Sequence, residues 1–192
     1  MSKSQMGVAV GAIGRKLQIG VMGSCADLAY ERRVEQLAEE VGHFVAINGG
    51  ILVFGAEKDI DSLSTAACRG AKDAGGLTVG ITYGKGLLVY RPYLADVIIA
   101  SGLERGGGRE MVLVLSCDAI ITIGGGSGTL NEICVAYQAN IPIVALSGTG
   151  GWSDQLANEY LDDRKRLKVT PASTPMVAVA LAMGMALPCV SS

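Results

Sequence analysis

The 192-residue sequence predicts an α/β domain: a doubly wound parallel sheet with helices on both faces. Three observations carry this. Short apolar runs alternate along the chain with longer segments whose apolar residues recur at helical spacing. The central run, residues 118–123, is short, apolar and β-branched, the composition of a strand covered on both faces. A hydrophobic fraction of 49% against 18% charged, with 27 glycines, fits a compact α/β domain with a substantial core and excludes a disordered chain.

Taken in order, residues 17–22 read as the first strand and 23–27 as the turn after it. Val34, Leu37, Ala38 and Val41 then fall at helical spacing, with Gly42 as the expected stop. A turn at 48–50 leads into strand 51–54 and loop 55–59. Asp61 and Ser62 cap a helix bearing Leu63, Ala66, Ala67, Gly70, Ala71 and Ala74, small residues that predict close packing. Strand 77–82 follows, then an undefined connection at 84–94, strand 97–100 and a glycine-rich stretch, 106–110, leading to helix 111–116. Beyond the central strand, Thr129 opens a helix with Leu130, Ile133, Cys134 and Tyr137 on one face. Strand 141–146, loop 147–151, a helix near 154–161, strand 167–170 and a last helix from Ser173 complete the pattern. Residues 1–16 read as a flexible leader and 17–192 as a single domain.

Charge and cysteine usage exclude several classes. A net charge of −2 gives no broad basic surface for nucleic acid or an anionic membrane. The cysteines (Cys25, Cys68, Cys117, Cys134, Cys189) form no C-x-x-C pair, and His43 is the single histidine, so zinc-ligand spacing is absent and no metal site is expected. Buried thiols in a reducing cytoplasm are the expected setting. The apolar stretches 111–117 and 176–187 are too short for the roughly 20 residues of a spanning helix. Arg15 and Lys16 interrupt the weakly apolar 6–13, with no convincing cleavage site, so no signal peptide is expected.

Chemistry concentrates after the central strand. Gly124, Gly125, Gly126 and Gly128 let the backbone approach a ligand closely, and a helix start offers unpaired N–H groups and a positive dipole end. An anionic group, most simply a phosphate, is the natural occupant. The turn is not a Walker loop, because no Lys-Ser or Lys-Thr follows the glycines.

The stretch Gly124-Gly-Gly-Ser-Gly-Thr-Leu-Asn-Glu132 resembles the PGGxGTxxE signature of the LOG family, once misnamed lysine decarboxylases, which has a Rossmann-like fold. Arg109 stands nine residues before Asp118, where that family carries a functional arginine; Gly23-Ser24 matches its first-strand turn, and residues 74–81 look like its AGGxVxGV stretch. The resemblance covers about residues 17–187. It implies that Gly125, Gly126, Ser127, Gly128 and Thr129 hold a phosphate, with Gly23, Ser24, Gly55, Gly148 and Thr149 beside it. Arg109 would bind phosphate or ribose, and Glu132 would stabilise a cationic sugar or orient water.

The sequence departs from the hydrolytic branch at several places. Gly124 replaces the leading proline, Asn131 the first acid, and Gly55-Ala-Glu-Lys a glycine run. Ser147-Gly-Thr-Gly-Gly-Trp-Ser-Asp154 instead looks like the sister branch that includes the molybdenum-cofactor carrier proteins. Two readings therefore stand. The favoured one is a binding or carrier protein for a phosphorylated nucleotide or pterin, the molybdenum cofactor included, with no cofactor of its own required. The alternative is a nucleoside 5′-monophosphate phosphoribohydrolase. Lysine decarboxylation is rejected, as no pyridoxal-phosphate lysine motif is present. A homo-oligomer, dimer or tetramer, is compatible with either reading. Trp152 is open between ring stacking and packing, and Tyr83, Tyr90 and Tyr93 between a lid and an interface.

Overall fold

The computed structural model describes residues 14–86, 88–104 and 106–186. Most of the expected leader, together with Cys189, lies outside the described residues; Arg15 donates both head nitrogens to Asp118, at 2.6 and 2.7 Å.

Seven strands form one parallel sheet: β1 (Gln18–Gly23), β2 (Ile51–Gly55), β3 (Leu77–Thr82), β4 (Val97–Ala100), β5 (Ala119–Ile123), β6 (Ile143–Leu146) and β7 (Thr170–Ala172). Their order is β4-β3-β2-β1-β5-β6-β7, every pairing parallel. The fold class expected from the alternation is borne out. Successive strand residues serve opposite faces. Ile19, Val21, Leu52, Phe54, Ile121, Ile123 and Val144 pack against α1 (Arg32–Ile47), α2 (Leu63–Asp73) and α6 (Pro175–Ala186). Met22, Val53, Ile120, Ile143 and Ala145 pack against α3 (Arg109–Leu115), α4 (Ser127–Gln138) and α5 (Gly151–Leu156).

Several boundaries differ from expectation for identifiable reasons. Gly42 does not stop α1, which runs on to Ile47. A Cβ there would lie 1.7 Å from the carbonyl oxygen of Ala67, and one on Gly70 would lie 1.8 Å from that of Glu39. The two glycines thus let α1 and α2 touch backbone to backbone. Ser62 caps α2 as expected, its hydroxyl accepting the Thr65 N–H at 3.0 Å.

The last strand is Thr170–Ala172, later than expected. Residues just before it pair instead with the chain after α5: Asn158 and Val169 donate their N–H groups to the carbonyls of Val169 and Glu159. The helix expected near 154–161 is the earlier α5, so Trp152 sits on a helix. Its ring is half-buried against the core that holds Tyr137 and Leu156, which decides for packing. The buried face of α4 is Thr129, Glu132, Ile133, Ala136 and Tyr137, leaving Cys134 exposed and not buried as expected. The helix face is turned so that Glu132 points inward.

Candidate functional site

The strand order reverses between β1 and β5, whose last residues Gly23 and Ile123 stand in register. Loops leaving such a pair diverge and open a crevice at the carboxyl end of the sheet. Into it runs the glycine turn, with Gly124 at φ +61° and Gly125 at φ +104°, left-handed values that suit glycine.

The turn is braced from both sides. Gly125 donates its N–H to the Ser24 hydroxyl at 2.8 Å, and Gly124 donates to the Thr149 hydroxyl at 2.9 Å. Thr149 in turn donates to the Leu146 carbonyl at 2.6 Å. The carbonyls of Gly125 and Gly124 accept the N–H groups of Trp152 (3.1 Å) and Ser153 (2.9 Å) at the start of α5. Asp154 fixes the β6 loop by accepting the Gly148 and Gly150 N–H groups, both at 2.7 Å. The 147–154 stretch therefore works as a brace. The amides of Gly124, Gly125, Gly148 and Gly150 are committed within the protein.

The first turn of α4 differs. Its N-cap, Gly126, carries no side chain, so the N–H groups that open the helix receive no side-chain cap. A Cβ on Gly128 would meet nothing within 4 Å. This helix start faces a cavity of about 360 Å³, lined also by Gly23, Ser24, Gly55, Arg109, Thr129 and Glu132. Gly125, Gly148 and Thr149 line a second hollow beyond Ser24 and Gly126. The residues expected to bind phosphate or ligand, with Glu132, thus line two adjoining hollows at one end of the sheet.

Deeper in the first cavity lies a cluster of charge. Arg109, 4% exposed, passes so close to Gly55 that a Cβ there would be 2.0 Å from its Nη1. Its Nη2 donates to Glu57 Oε1 at 3.0 Å and to the Tyr83 hydroxyl, and the guanidinium stacks 4.1 Å from the Tyr83 ring centroid. Arg109 Nε stands 3.8 Å from Glu110 Oε1. Burial works against the charge on Arg109, but Tyr83, Glu132 and Glu57 outweigh it and its pKa is raised. Burial also pushes the Glu132 carboxyl up to about 8, with Arg109 opposing and Glu110 and Glu57 reinforcing the shift. Burial thus disfavours the charged form of the Glu132 carboxyl, and the Arg109 guanidinium favours it.

Glu57, Glu110 and Tyr83 were not foreseen as site residues. Glu57 lies two residues past the end of β2, and strand ends of a doubly wound sheet are where ligand-facing residues collect. Glu110 adjoins Arg109 and gave no separate signal. Tyr83, expected in a lid or an interface, lies in the cavity wall. Among the described residues no group of three or more histidine, cysteine, aspartate or glutamate side chains could hold a metal ion. Nor is any helix among them long and apolar enough to cross a membrane.

Fold and crevice together define a Rossmann-like protein with its hollows at the switch point of a parallel sheet. The chain belongs to the SLOG cluster4 family, whose model matches residues 16–179. An uncharacterized protein from Archaeoglobus fulgidus is 37% identical over 134 residues, 68% of this chain and 80% of that one. Among solved structures, the molybdenum cofactor binding protein of Rippkaea orientalis is similar at 29% identity and a TM-score of 0.74, covering 89% of this chain and 98% of that one. The molybdenum cofactor carrier protein of Chlamydomonas reinhardtii is similar at 30% identity and 0.71, again over 89% and 98%. The family resemblance carried by the glycine motif is borne out, and so is its closeness to the carrier branch.

Proposed function

We infer that the protein binds a phosphorylated small ligand, a nucleotide or a pterin, as a carrier of the molybdenum-cofactor-carrier kind. One observation carries this reading. The glycine turn is braced by its neighbours' side chains and amides, while the first amides of α4 are left without a side-chain cap at the mouth of a cavity. A phosphate there would accept several N–H bonds and meet the positive end of the helix dipole. The similarity to the Rippkaea orientalis and Chlamydomonas reinhardtii proteins supports a phosphorylated pterin as cargo.

Arg109 and Glu132 lining the same cavity keep a second reading, the phosphoribohydrolase. Burial works against the negative charge that Glu132 would need to stabilise a cationic sugar, which favours binding over cleavage. A cytoplasmic homo-oligomer belongs to the same proposal; exposed Met176 and Met185 on α6 offer apolar surface for self-association. The test is incubation with a panel of nucleoside 5′-monophosphates, assaying free base and ribose 5-phosphate beside a Glu132→Ala control. Retained ligand is read by native mass spectrometry. Base release that disappears in the control would overturn the carrier reading; a bound, intact ligand would support it.

A further inference from the structure

Ser64 is the second residue of α2 and lines the first cavity, at a position outside the glycine motif. It is only 6% exposed, yet its hydroxyl makes no hydrogen bond among the described residues and still opens onto the cavity. Its neighbours are committed. Leu63 donates its N–H to the Ser24 carbonyl at 2.9 Å, Thr65 to the Ser62 hydroxyl at 3.0 Å, and Ala66 to the Ser62 carbonyl at 2.9 Å. The Ser64 N–H makes no such bond among the described residues. A hydroxyl and an amide are thus left together at the start of an 11-residue helix. Leaving such groups unpaired costs free energy that a ligand in the cavity recovers.

Ser64 also stands at a fixed place relative to α4. The Ser24 carbonyl holds Leu63 while the Ser24 hydroxyl holds Gly125 at 2.8 Å, so one residue joins both helix starts. Because α2 and α4 pack on opposite faces of the sheet, their first turns reach the cavity from two sides. Charge then selects what Ser64 can hold. Glu57, Glu110 and Glu132, each at most 7% exposed, line the same cavity against the one guanidinium of Arg109. A second anion there would meet carboxyl groups; a neutral hydroxyl, which donates and accepts as serine does, would not.

We propose that Ser64 is a specificity residue that holds a sugar hydroxyl of a ligand whose phosphate lies at the start of α4. The Ser64 N–H donates to that hydroxyl, and the serine Oγ exchanges a hydrogen bond with it or with the adjoining one. The inference rests on the phosphate-binding reading above, and it makes the site selective for ribonucleotides over analogues without the vicinal hydroxyls.

Isothermal titration calorimetry on the full chain tests this with AMP, GMP, CMP and UMP, each beside its 2′,3′-dideoxy counterpart, and with ribose 5-phosphate as the base-free probe. For the nucleotide that binds most tightly, loss of both hydroxyls is expected to weaken binding at least about fivefold. In Ser64→Ala that ratio should fall below about twofold, with affinity for the dideoxy form nearly constant. Alanine deletes a hydroxyl that holds nothing in the protein and suits a helix, so the variant is expected to fold. Equal affinity for the ribo and dideoxy forms on the unaltered protein, or a ratio that survives in Ser64→Ala, would overturn this inference and leave the phosphate reading intact. Binding by no member of the panel, ribose 5-phosphate included, would overturn both.

Discussion

Ser24 and Gly125, 101 positions apart in the chain, are joined by a 2.8 Å hydrogen bond from the Gly125 amide to the Ser24 hydroxyl. This bond ties the loop after β1 to the glycine turn after β5 across the switch point. Ser24→Ala leaves a buried N–H unpaired and is expected to cost about 1–3 kcal/mol. Urea denaturation measures it, and a change below about 0.5 kcal/mol would show that the brace does not hold the turn.

The brace from the other side rests on Gly151. A Cβ there would lie 2.4 Å from the Gly125 carbonyl oxygen, at φ +57°. Gly151→Ala is expected to destabilise by about 3 kcal/mol, through both overpacking and backbone strain. Gly148 also has a positive φ, +77°, but meets nothing within 4 Å. Gly148→Ala should therefore cost only about 1–2 kcal/mol. Equal melting temperatures for the two variants would contradict the brace.

Gly128 separates folding from binding, because its Cβ direction is open. Gly128→Asp puts a carboxylate in the first turn of α4, which the helix dipole favours by about 0.3–1 kcal/mol. The same charge repels a phosphate at the helix start. Thermal stability should hold or rise while affinity for a nucleoside 5′-monophosphate drops at least about tenfold. Unchanged affinity would move the phosphate away from α4.

Glu132 makes stability depend on pH in a defined direction. Its folded-state pKa is raised from 4.5 to about 8, so the folded protein binds its proton more tightly than the unfolded chain does. That contribution is fully present below 4.5 and is lost as pH rises towards about 8. Glu132→Gln removes the titration. Relative to the native sequence, the variant is expected to gain roughly 2–4 kcal/mol between pH 5 and pH 9. Parallel pH profiles would show that Glu132 is ionised throughout.

Gly42 tests the contact between α1 and α2. Helix propensity alone says that Gly42→Ala stabilises by about 1 kcal/mol. A Cβ 1.7 Å from the Ala67 carbonyl oxygen reverses the sign, and a loss above about 2 kcal/mol is expected. A gain on chemical denaturation would mean that the helices can part without cost.

The alternation of elements, the parallel sheet and the position of the glycine turn were legible in the sequence alone. These follow from local signals: apolar periods of two and of 3.6, a serine cap, and glycines between a strand and a helix start. β3 and β4 fall at their expected residues for that reason. Tertiary structure alone decided what needs two distant segments to meet. Gly42 looked like a helix stop because its partner, the Ala67 carbonyl, lies on another helix. The 147–154 loop looked like ligand-binding backbone, yet its amides are taken by Asp154 and its Thr149 hydroxyl by Gly124. Glu57, Tyr83 and Glu110 became site residues only when the sheet order set the ends of β2 and β3 beside the start of α3. Local sequence records backbone conformation and burial period; it does not record which buried charge another buried charge will face.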